Sequence, residues 1–465
     1  MEVPAENPLL AALTDTEISR LIATHKNGMG ETLRRCALGI LQSGQNIDNT
    51  EELLRQYPDF QFGLEPNVQG IKFVLRNAPQ TAFQQFHERG ETRLHEFMRE
   101  HLCAVVRDLV YQLMNFGHPQ TTQEITDAIF RMLREVGVFT QTAKDRNGSP
   151  IEMNRVVAWG GHSIDHEEYA YGKLVGSAVA KQLCEFITGC GPGAMRAPFS
   201  GSIAAYHEER ITNARHFGFT SPGIITSEPP NKFVNPLVIL PDIEKRLEAF
   251  IRGSIGGIIF PGGVGTAEEI QTILSILIHP KNNNQQYPLI FTGPEKSRSY
   301  FAAIDAFLKE TIGEEVCGKY DIIIDDPDAV AQALMKKIIQ AKKLRAAMGN
   351  SNLWYRSLYF PEEVQHPFMP THEAVQDINL QKGQEPYLLA AQMRRLFSAI
   401  VYGNVTDDGT KMIRERGPFI FKGDTELVGA LDSLLRRFVA EGRMKIEGDY
   451  VPCYELKKEA AESTS

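Results

Sequence analysis

A glycine-rich segment near the middle of the chain combines residues that can bind an anion with residues that can act on the molecule carrying it. The segment reads PGGVGTAEE over residues 261–269, and a helical pattern over residues 267–278 follows it. Glycines let backbone N–H groups approach an anion, and a helix N-terminus adds partial positive charge. We therefore predict a phosphate site beside two carboxylates, made by Gly262, Gly263, Gly265, Thr266, Glu268 and Glu269.

The same segment also fits an ordinary structural turn. Thr266 would then lie near the N-cap of the helix, and Glu268 and Glu269 would complement the helix dipole. This alternative accounts for the glutamates but leaves a proline and three glycines unexplained. We therefore favour the phosphate site.

Two further turns at the ends of predicted strands carry residue types that suit a ligand. Gly160 and Ser163 follow the strand predicted at 155–159, although an ordinary turn with a serine cap explains them equally well. The second turn follows the strand predicted at 186–188. Its spacing and position differ from a dinucleotide fingerprint, so it predicts a turn against a nucleotide rather than an NAD site. Its ligand-facing residues are Gly189, Gly191, Gly193 and Met195.

These turns belong to a region in which short apolar strands alternate with helical stretches. Such a pattern indicates a parallel sheet covered on both faces, and ligands in such folds bind beyond the carboxyl ends of the strands. We predict an α/β, Rossmann-like, doubly wound core over residues 146–345, with a mainly helical region at 1–145 and a mixed α/β region at 346–465. The strands are predicted at 155–159, 186–188, 223–226, 237–240, 257–260, 288–291 and 322–324.

Composition restricts the class of protein. The 465 residues carry a formal net charge of −9, which argues against general nucleic-acid binding. The sequence has no apolar run long enough for a membrane helix and no positively charged start typical of a secretory signal, so we expect a cytoplasmic protein. The six cysteines are scattered without zinc-site spacing, and we expect no metal and no other cofactor.

Three features of the sequence together resemble a known family: the segment at 261–269, Arg246 and the turn at 189–195. PGGVGTAEE matches the PGGxGTxxE signature of the LOG-type phosphoribohydrolases, in which an arginine lies fifteen positions before the signature proline, the position of Arg246 here. The turn at 189–195 is similar to the family's GGGxxGxM stretch, with Cys190 in place of the middle glycine. Because sizeable regions flank this match at about 150–330, the whole chain resembles the longer bacterial pyrimidine/purine nucleotide 5′-monophosphate nucleosidases.

The resemblance implies hydrolysis of the N-glycosidic bond of a nucleoside monophosphate to a free base and ribose 5-phosphate. It implies that Glu269 is the catalytic carboxylate and that Arg246 contacts the ribose or phosphate or orients Glu269. Taken alone, a single arginine on a helix is more often a solvated surface charge. The three glycine turns and Ser163 would line the pocket, and the scheme requires no metal.

The last predicted helix of the middle region carries a basic run, for which two interpretations stay open. Most such clusters are solvated faces. Some members of the family are reported to respond to guanosine tetra- or pentaphosphate, and cationic side chains suit such an effector. On that interpretation the flanks regulate the enzyme and build a homo-oligomer, a dimer or tetramer. The candidate effector residues are Lys342, Lys343, Arg345 and Arg356.

Other functions remain as alternatives. A cytokinin-activating phosphoribohydrolase would need only the middle region, which the long flanks disfavour. A non-catalytic nucleotide sensor would not need both Arg246 and Glu269. A DNA-binding protein is disfavoured by the negative net charge, and lysine decarboxylation by the lack of a Schiff-base lysine context.

Overall fold

The computed structural model describes residues 2–4, 10, 12–24, 29–43, 50–67, 70–86, 91–116, 121–226, 228–350, 354–444 and 450–459. The described helices are α1 (Asp15–Thr24), α2 (Gly30–Leu41), α3 (Thr50–Gln56), α4 (Glu96–Asn115), α5 (Thr122–Glu135), α6 (His166–Lys181), α7 (Ala197–Glu208), α8 (Ile243–Gly253), α9 (Val264–Leu277), α10 (Arg298–Thr311), α11 (Pro327–Ala347), α12 (Glu362–Gln365), α13 (His372–Gln376), α14 (Pro386–Val405), α15 (Asp407–Arg416) and α16 (Thr425–Ala440).

The described strands are β1 (Glu2–Pro4), β2 (Gln61–Asn67), β3 (Gly70–Arg76), β4 (Phe83–Phe86), β5 (Glu91–Leu94), β6 (Asn154–Trp159), β7 (Cys184–Thr188), β8 (His216–Thr220), β9 (Leu237–Ile239), β10 (Gly257–Ile259), β11 (Leu289–Gly293), β12 (Asp321–Ile324), β13 (Phe419–Asp424) and β14 (Tyr454–Glu459). The chain divides into two compact units. The first comprises residues 1–139, 189–191 and 216–249, and the second comprises 140–188, 192–215 and 250–465.

The second unit contains five parallel strands in the order β12-β11-β10-β6-β7. Strand β10 pairs with β6 on one side, where Ile259 lies opposite Trp159, and with β11 on the other. Strands β6, β7, β10 and β11 are almost entirely buried, as expected for a parallel sheet covered by helices. In the C-terminal region of this unit, β13 and β14 pair in parallel.

The first unit contains the parallel pair β8–β9 and the antiparallel sheet β1-β3-β2. Polar side chains of α4 bond to the backbone of β9. Asp108 accepts the Ile239 N–H at 2.7 Å, and Arg107 donates to the Leu237 carbonyl at 2.8 Å. These contacts satisfy backbone groups of a short strand, which would otherwise need partners elsewhere.

Most of the predicted elements are confirmed. The Rossmann-like α/β class holds, and six of the seven predicted core strands correspond to β6, β7, β9, β10, β11 and β12. The predicted strand at 223–226 is wrong because these residues form a turn that follows Pro222, and His216–Thr220 form the strand instead. Helix α9 begins at Val264 after an N-cap at Gly263, so Thr266 is inside the first turn rather than near the N-cap. The division into regions 1–145, 146–345 and 346–465 stays a prediction.

Among the residues that the structure describes, no helix has the length and apolar character to cross a membrane.

Candidate active site

Two of the predicted glycine turns lie side by side at the carboxyl ends of β6 and β10. The Phe260 N–H donates to the Trp159 carbonyl at 2.8 Å, and the Gly161 N–H donates to the Pro261 carbonyl at 2.9 Å. A Cβ atom on Gly161 would lie 3.0 Å from the Cα atom of Gly262. The close approach of these backbones explains why glycine occurs on both sides of the contact.

The third turn contributes its second half to the same edge of the second unit. The Ala194 N–H donates to the Gly161 carbonyl at 3.0 Å. Gly193 has a φ of +60°, and a Cβ atom there would lie 2.1 Å from the His162 carbonyl oxygen. The structure therefore brings Gly160, Gly193 and buried Met195 together with the turn at 261–266. Ser163 is exposed, and its hydroxyl lies 3.3 Å from Nδ1 of His162.

The amino end of α9 has the features of an anion site. Its N-cap residue is Gly263, which has no side chain with which to cap the helix. A Cβ atom on Gly262 would lie 2.0 Å from Oγ1 of Thr266, so the threonine packs back on the turn. Gly265 is exposed, and apart from its own helix no described atom lies within 4 Å of the place that its Cβ would take. Gly265 thus borders open space in the first turn of α9, at the positive end of the helix dipole.

The two glutamates of α9 have different surroundings. Glu269 is partly exposed and follows Gly265 by four residues, which places both on one face of the helix. Glu268 is 2% exposed, and its Oε1 lies 3.2 Å from Nη2 of Arg394 on α14, a residue with no solvent exposure. Glu269 is therefore the carboxylate beside the open space at Gly265, and Glu268 fixes α9 against α14.

Sequence reasoning missed a group of residues that holds the glycine turn in place. The Gly262 N–H donates to the hydroxyl of Tyr300 at 3.2 Å, so this donor already has a partner. The guanidinium of Arg443 lies 4.6 Å from the Tyr300 ring centroid and pairs with Glu168 at 2.8 Å. These residues are far apart in sequence, and only Gly442, a typical helix-end glycine before Arg443, gave any local signal.

Arg246 belongs to the first unit and is not a surface charge. It is 5% exposed, and its Nε donates to the carbonyl of Phe219, near the carboxyl end of β8, at 3.0 Å. Burial raises the pKa of the Cys190 thiol, and the positive charge of Arg246 partly opposes this shift. Arg246 and the first half of the glycine turn, Gly189 and Gly191, are thus neighbours within this unit.

The backbone of that half-turn is held by one asparagine. Cys190 has a φ of +77°, a conformation that favours glycine. The Asn231 side chain and N–H both donate to the Cys190 carbonyl, at 2.8 and 3.1 Å. A Cβ on Gly218 would lie 2.6 Å from the Cys190 sulfur, so β8 leaves room for the thiol.

The four candidate effector residues differ in exposure. Lys343 and Arg356 are exposed, whereas Lys342 is partly buried and pairs with Glu152 at 3.2 Å. Arg345 is 1% exposed, and its guanidinium stacks on the ring of Tyr355 at 4.0 Å. Arg345 therefore belongs to the packing of α11, and the exposed cations of the group are Lys343 and Arg356.

Comparison with known proteins covers nearly the whole chain. Family models match residues 4–116 ("Pyrimidine/purine nucleotide 5'-monophosphate nucleosidases"), 202–334 ("Possible lysine decarboxylase") and 338–457 ("Pyrimidine/purine nucleotide monophosphate nucleosidase, C-terminal"). The pyrimidine/purine nucleotide 5'-monophosphate nucleosidases of Escherichia coli K12 and O157:H7 are each 39% identical to it over 453 residues, 96% of this chain and 97% of theirs.

Among solved structures, a molybdenum cofactor binding protein from Rippkaea orientalis aligns with 41% of this chain and 99% of its own, at 17% identity and a TM-score of 0.29.

Proposed function

The chain belongs to the pyrimidine/purine nucleotide 5′-monophosphate nucleosidases and is an N-glycosyl hydrolase of that kind; from this premise we propose how its residues perform the reaction. Water adds to C1′ of the ribose, the bond from C1′ to the base nitrogen breaks, and the base leaves with a proton. The products are a free purine or pyrimidine and ribose 5-phosphate.

The 5′-phosphate binds at the amino end of α9. Because the Gly262 N–H bonds to Tyr300, the donors are the N–H groups of the first helical turn, from Gly263 to Thr266, at the positive end of the helix dipole. The positive end of the helix dipole stabilises a bound dianionic phosphate without any metal ion. Gly262 serves the site as a spacer, since its missing side chain leaves room for Thr266.

Glu269 acts on the ribose. Cleavage of an N-glycosidic bond develops positive charge on the sugar, and a carboxylate near C1′ stabilises this charge or accepts a proton from the attacking water. Glu269 lies about one turn from Gly265 on the same face, roughly 6 Å along the helix, which suits a group acting on the sugar of a nucleotide held by its phosphate.

For Arg246 we propose a contact with the negatively charged or hydroxyl-bearing part of the nucleotide. Its position supports this role, because Arg246 lies beside the turn at 189–191 and near the carboxyl end of β8, and ligands in such folds bind beyond the carboxyl ends of the strands.

One observation supports the proposal most strongly. The face of α9 that carries Gly265 and Glu269 is open at a helix end whose N-cap residue is a glycine, whereas the rest of this mainly apolar helix is buried. A turn that served only to connect a strand with a helix would not need an exposed glycine and a partly exposed glutamate on that face.

Product analysis across AMP, GMP, IMP, CMP and UMP tests the proposal. We expect equal amounts of free base and ribose 5-phosphate, measured by chromatography and phosphorus NMR. Adenosine and a cytokinin riboside 5′-monophosphate serve as controls for the phosphate requirement and for the alternative phosphoribohydrolase. Absence of base release from all five monophosphates would contradict the proposal and favour the non-catalytic sensor.

We further propose that guanosine tetra- or pentaphosphate regulates the enzyme through two exposed cations, one in the last turns of α11 and one in the segment that follows it. Lys343 and Arg356 supply exposed positive charge, which suits a multiply phosphorylated anion. Activity measured during titration with guanosine tetraphosphate should change in the wild type and not in Lys343→Gln/Arg356→Gln. Lys411→Gln, an exposed lysine on α15, is the matched control. An unchanged response in the double variant would rule out this location.

We also propose that the enzyme acts in nucleotide turnover in the cytoplasm as a homo-oligomer, a dimer or tetramer. Light scattering coupled to size-exclusion chromatography measures the mass directly. A monomer at micromolar concentration would contradict this proposal.

A further inference from the structure

Arg443 occupies a fixed position at the end of α16. The Gly442 N–H donates to the Val439 carbonyl at 3.0 Å, and the Arg443 N–H donates to the Phe438 carbonyl at 2.8 Å. Gly442 has a φ of +64°. These two bonds and the left-handed glycine form a Schellman motif, a rigid helix ending. The backbone of Arg443 is therefore set by the helix itself.

From this position Arg443 contacts the glycine turn in two ways. Its backbone carbonyl oxygen would lie 2.0 Å from a Cβ on Gly263, so it packs directly on the residue that caps α9. Its guanidinium covers the ring of Tyr300, with 4.6 Å to the centroid. Phe438 packs on the same ring at 6.1 Å between centroids, in a stacked arrangement. Tyr300 is thus held by two residues of the α16 ending.

Tyr300 transmits this contact to the turn. Its hydroxyl accepts the Gly262 N–H at 3.2 Å. Burial raises the pKa of Tyr300 to about 12, so the hydroxyl keeps its proton at neutral pH. The ring is 1% exposed and has little freedom to move. If the Tyr300 ring were displaced, the Gly262 N–H would lose its hydrogen bond, and the turn would lose a contact that fixes its conformation.

Two carboxylates orient the guanidinium. Glu168 pairs with Nη2 at 2.8 Å, and Glu441 pairs with Nε at 2.8 Å. Glu168 is the N3 residue of a capping box with Asp165 at the start of α6, directly after the turn at 160–163. Arg443 thereby connects the two turns at the carboxyl ends of β6 and β10. Nε and Nη2 of Arg443 are each engaged by a protein carboxylate, which favours an indirect role over direct phosphate binding.

We propose that Arg443 is a positioning residue for the nucleotide 5′-phosphate, acting through Tyr300 and Gly263 on the turn at 261–266. The inference rests on the proposed function, in which this turn holds the phosphate. It gives the C-terminal region a part in substrate binding, which Arg443 exerts through other residues rather than by touching the substrate.

Kinetics on full-length variants test this role. Arg443→Gln and Tyr300→Phe should each raise the KM for a nucleoside monophosphate about tenfold, in line with one lost hydrogen bond in the turn, while kcat falls less than about threefold. Activity on the nucleoside without phosphate should not change. Arg443→Lys keeps the charge but not the planar stacking, so it should restore only part of the affinity. Arg436→Gln, on an exposed arginine of the same helix, is the control and should match the wild type.

A double variant separates an indirect from a direct role. If Arg443 acts through Tyr300, Arg443→Gln/Tyr300→Phe should bind no more weakly than the weaker single variant. Additive losses would show that Arg443 acts independently of Tyr300 and overturn the proposal, as would an unchanged KM in both single variants or a loss confined to kcat. Thermal unfolding of each variant identifies a folding defect. If Arg443→Gln has such a defect, the KM of Tyr300→Phe, which removes only one hydroxyl, tests the proposal.

Calorimetry with ribose 5-phosphate makes the result independent of turnover. Weaker binding to Arg443→Gln than to the wild type supports the positioning role even if no base is released, and equal binding overturns it. Failure of the proposed function would appear separately, as a wild type that binds ribose 5-phosphate and releases no base.

Discussion

At the scale of single residues, glycine acts in three different ways around the turn at 261–266. Gly193 adopts a backbone conformation that other residues avoid, and Gly262 leaves room for Thr266. Neither reason applies to Gly265, because its backbone is helical and a side chain at its Cβ position would meet open space. A helical glycine without a steric reason is unfavourable for stability, which suggests that the space itself has a use.

Replacing Gly265 should therefore separate stability from function. Gly265→Ala should raise the free energy of unfolding by up to about 1 kcal/mol, because alanine favours a helix, and it should weaken nucleotide binding because the methyl group enters the phosphate space. Urea unfolding and KM are the measurements. Gly429→Ala is the matched control, a helical glycine of α16 with equally open space, which should gain stability without losing affinity. A normal KM for the Gly265→Ala variant would show that the phosphate does not bind beside Gly265.

The sequence allowed some of these residues to be found and not others. Glu269 and the glycines are close in sequence, so their spacing alone indicated a phosphate site with a carboxylate. Tyr300, Glu168 and Arg443 lie on three separate helices or helix ends, and only the fold brings them together. Residues that act through tertiary contacts carry no local pattern, and for this reason they were missed.

At the scale of elements, α9 is held by the helix α14 of the C-terminal region. The pair of Glu268 and Arg394 is nearly inaccessible to solvent, and the Thr272 hydroxyl bonds back to the Glu268 carbonyl at 2.8 Å. Charges at this depth are costly unless paired. The pair therefore fixes the rotation of α9 and, with it, the direction in which Glu269 points.

Removing one member of this pair should cost more than removing both. Arg394→Met should lower the free energy of unfolding by about 3 kcal/mol, since it leaves a buried carboxylate beside an apolar side chain. Glu268→Leu/Arg394→Met should recover part of that loss. Arg416→Met removes a surface pair with Glu373 and should cost less than about 1 kcal/mol. Additive effects of the two buried substitutions in chemical denaturation would show that the charges do not interact.

Strand β8 shows where element prediction fails. Its sequence, HFGFT, contains a glycine and a histidine, both poor indicators of a buried strand, whereas the nearby GIIT looked like one. The structure buries all five residues of β8, and Gly218 provides the space that the Cys190 side chain occupies. Long-range packing overrode local propensity here, as it often does in sheets.

At the scale of the whole molecule, the two catalytic candidates lie in different compact units. Arg246 lies in the unit that contains the N-terminal region, and Glu269 lies in the unit that contains the C-terminal region. Within the first unit, the Thr126 hydroxyl of α5 bonds to Glu248 of α8 at 2.7 Å, so the N-terminal region supports the helix of Arg246. Each flanking region therefore bonds to the helix that carries one of the two candidates, α8 for Arg246 and α9 for Glu269.

The first unit should also be the acid-sensitive one. Burial lowers the pKa of His101 and of His216 from the usual 6.5 to about 4. Because the unfolded chain binds protons at 6.5 and the folded chain does not, stability should fall as the pH drops from about 6.5 to about 4, by up to roughly 3 kcal/mol for each histidine.

Chemical denaturation at several pH values measures this slope. His101→Gln keeps a donor for the Val234 carbonyl, which the His101 ring contacts at 2.9 Å, and removes the titrating group. The variant should lose less stability than the wild type between pH 6.5 and 4. An identical pH slope in the variant would mean that His101 does not carry this dependence.

We propose that Glu269 performs chemistry on a nucleotide held by its phosphate at the amino end of α9. Base release from AMP by the wild type and by Glu269→Gln, with ribose 5-phosphate binding measured on the same preparations, tests it most directly. We predict a loss of turnover of about 100-fold or more with binding within about threefold of the wild type, as expected when a catalytic carboxylate is neutralised and the phosphate site is left intact. Near-normal base release by Glu269→Gln would contradict the account.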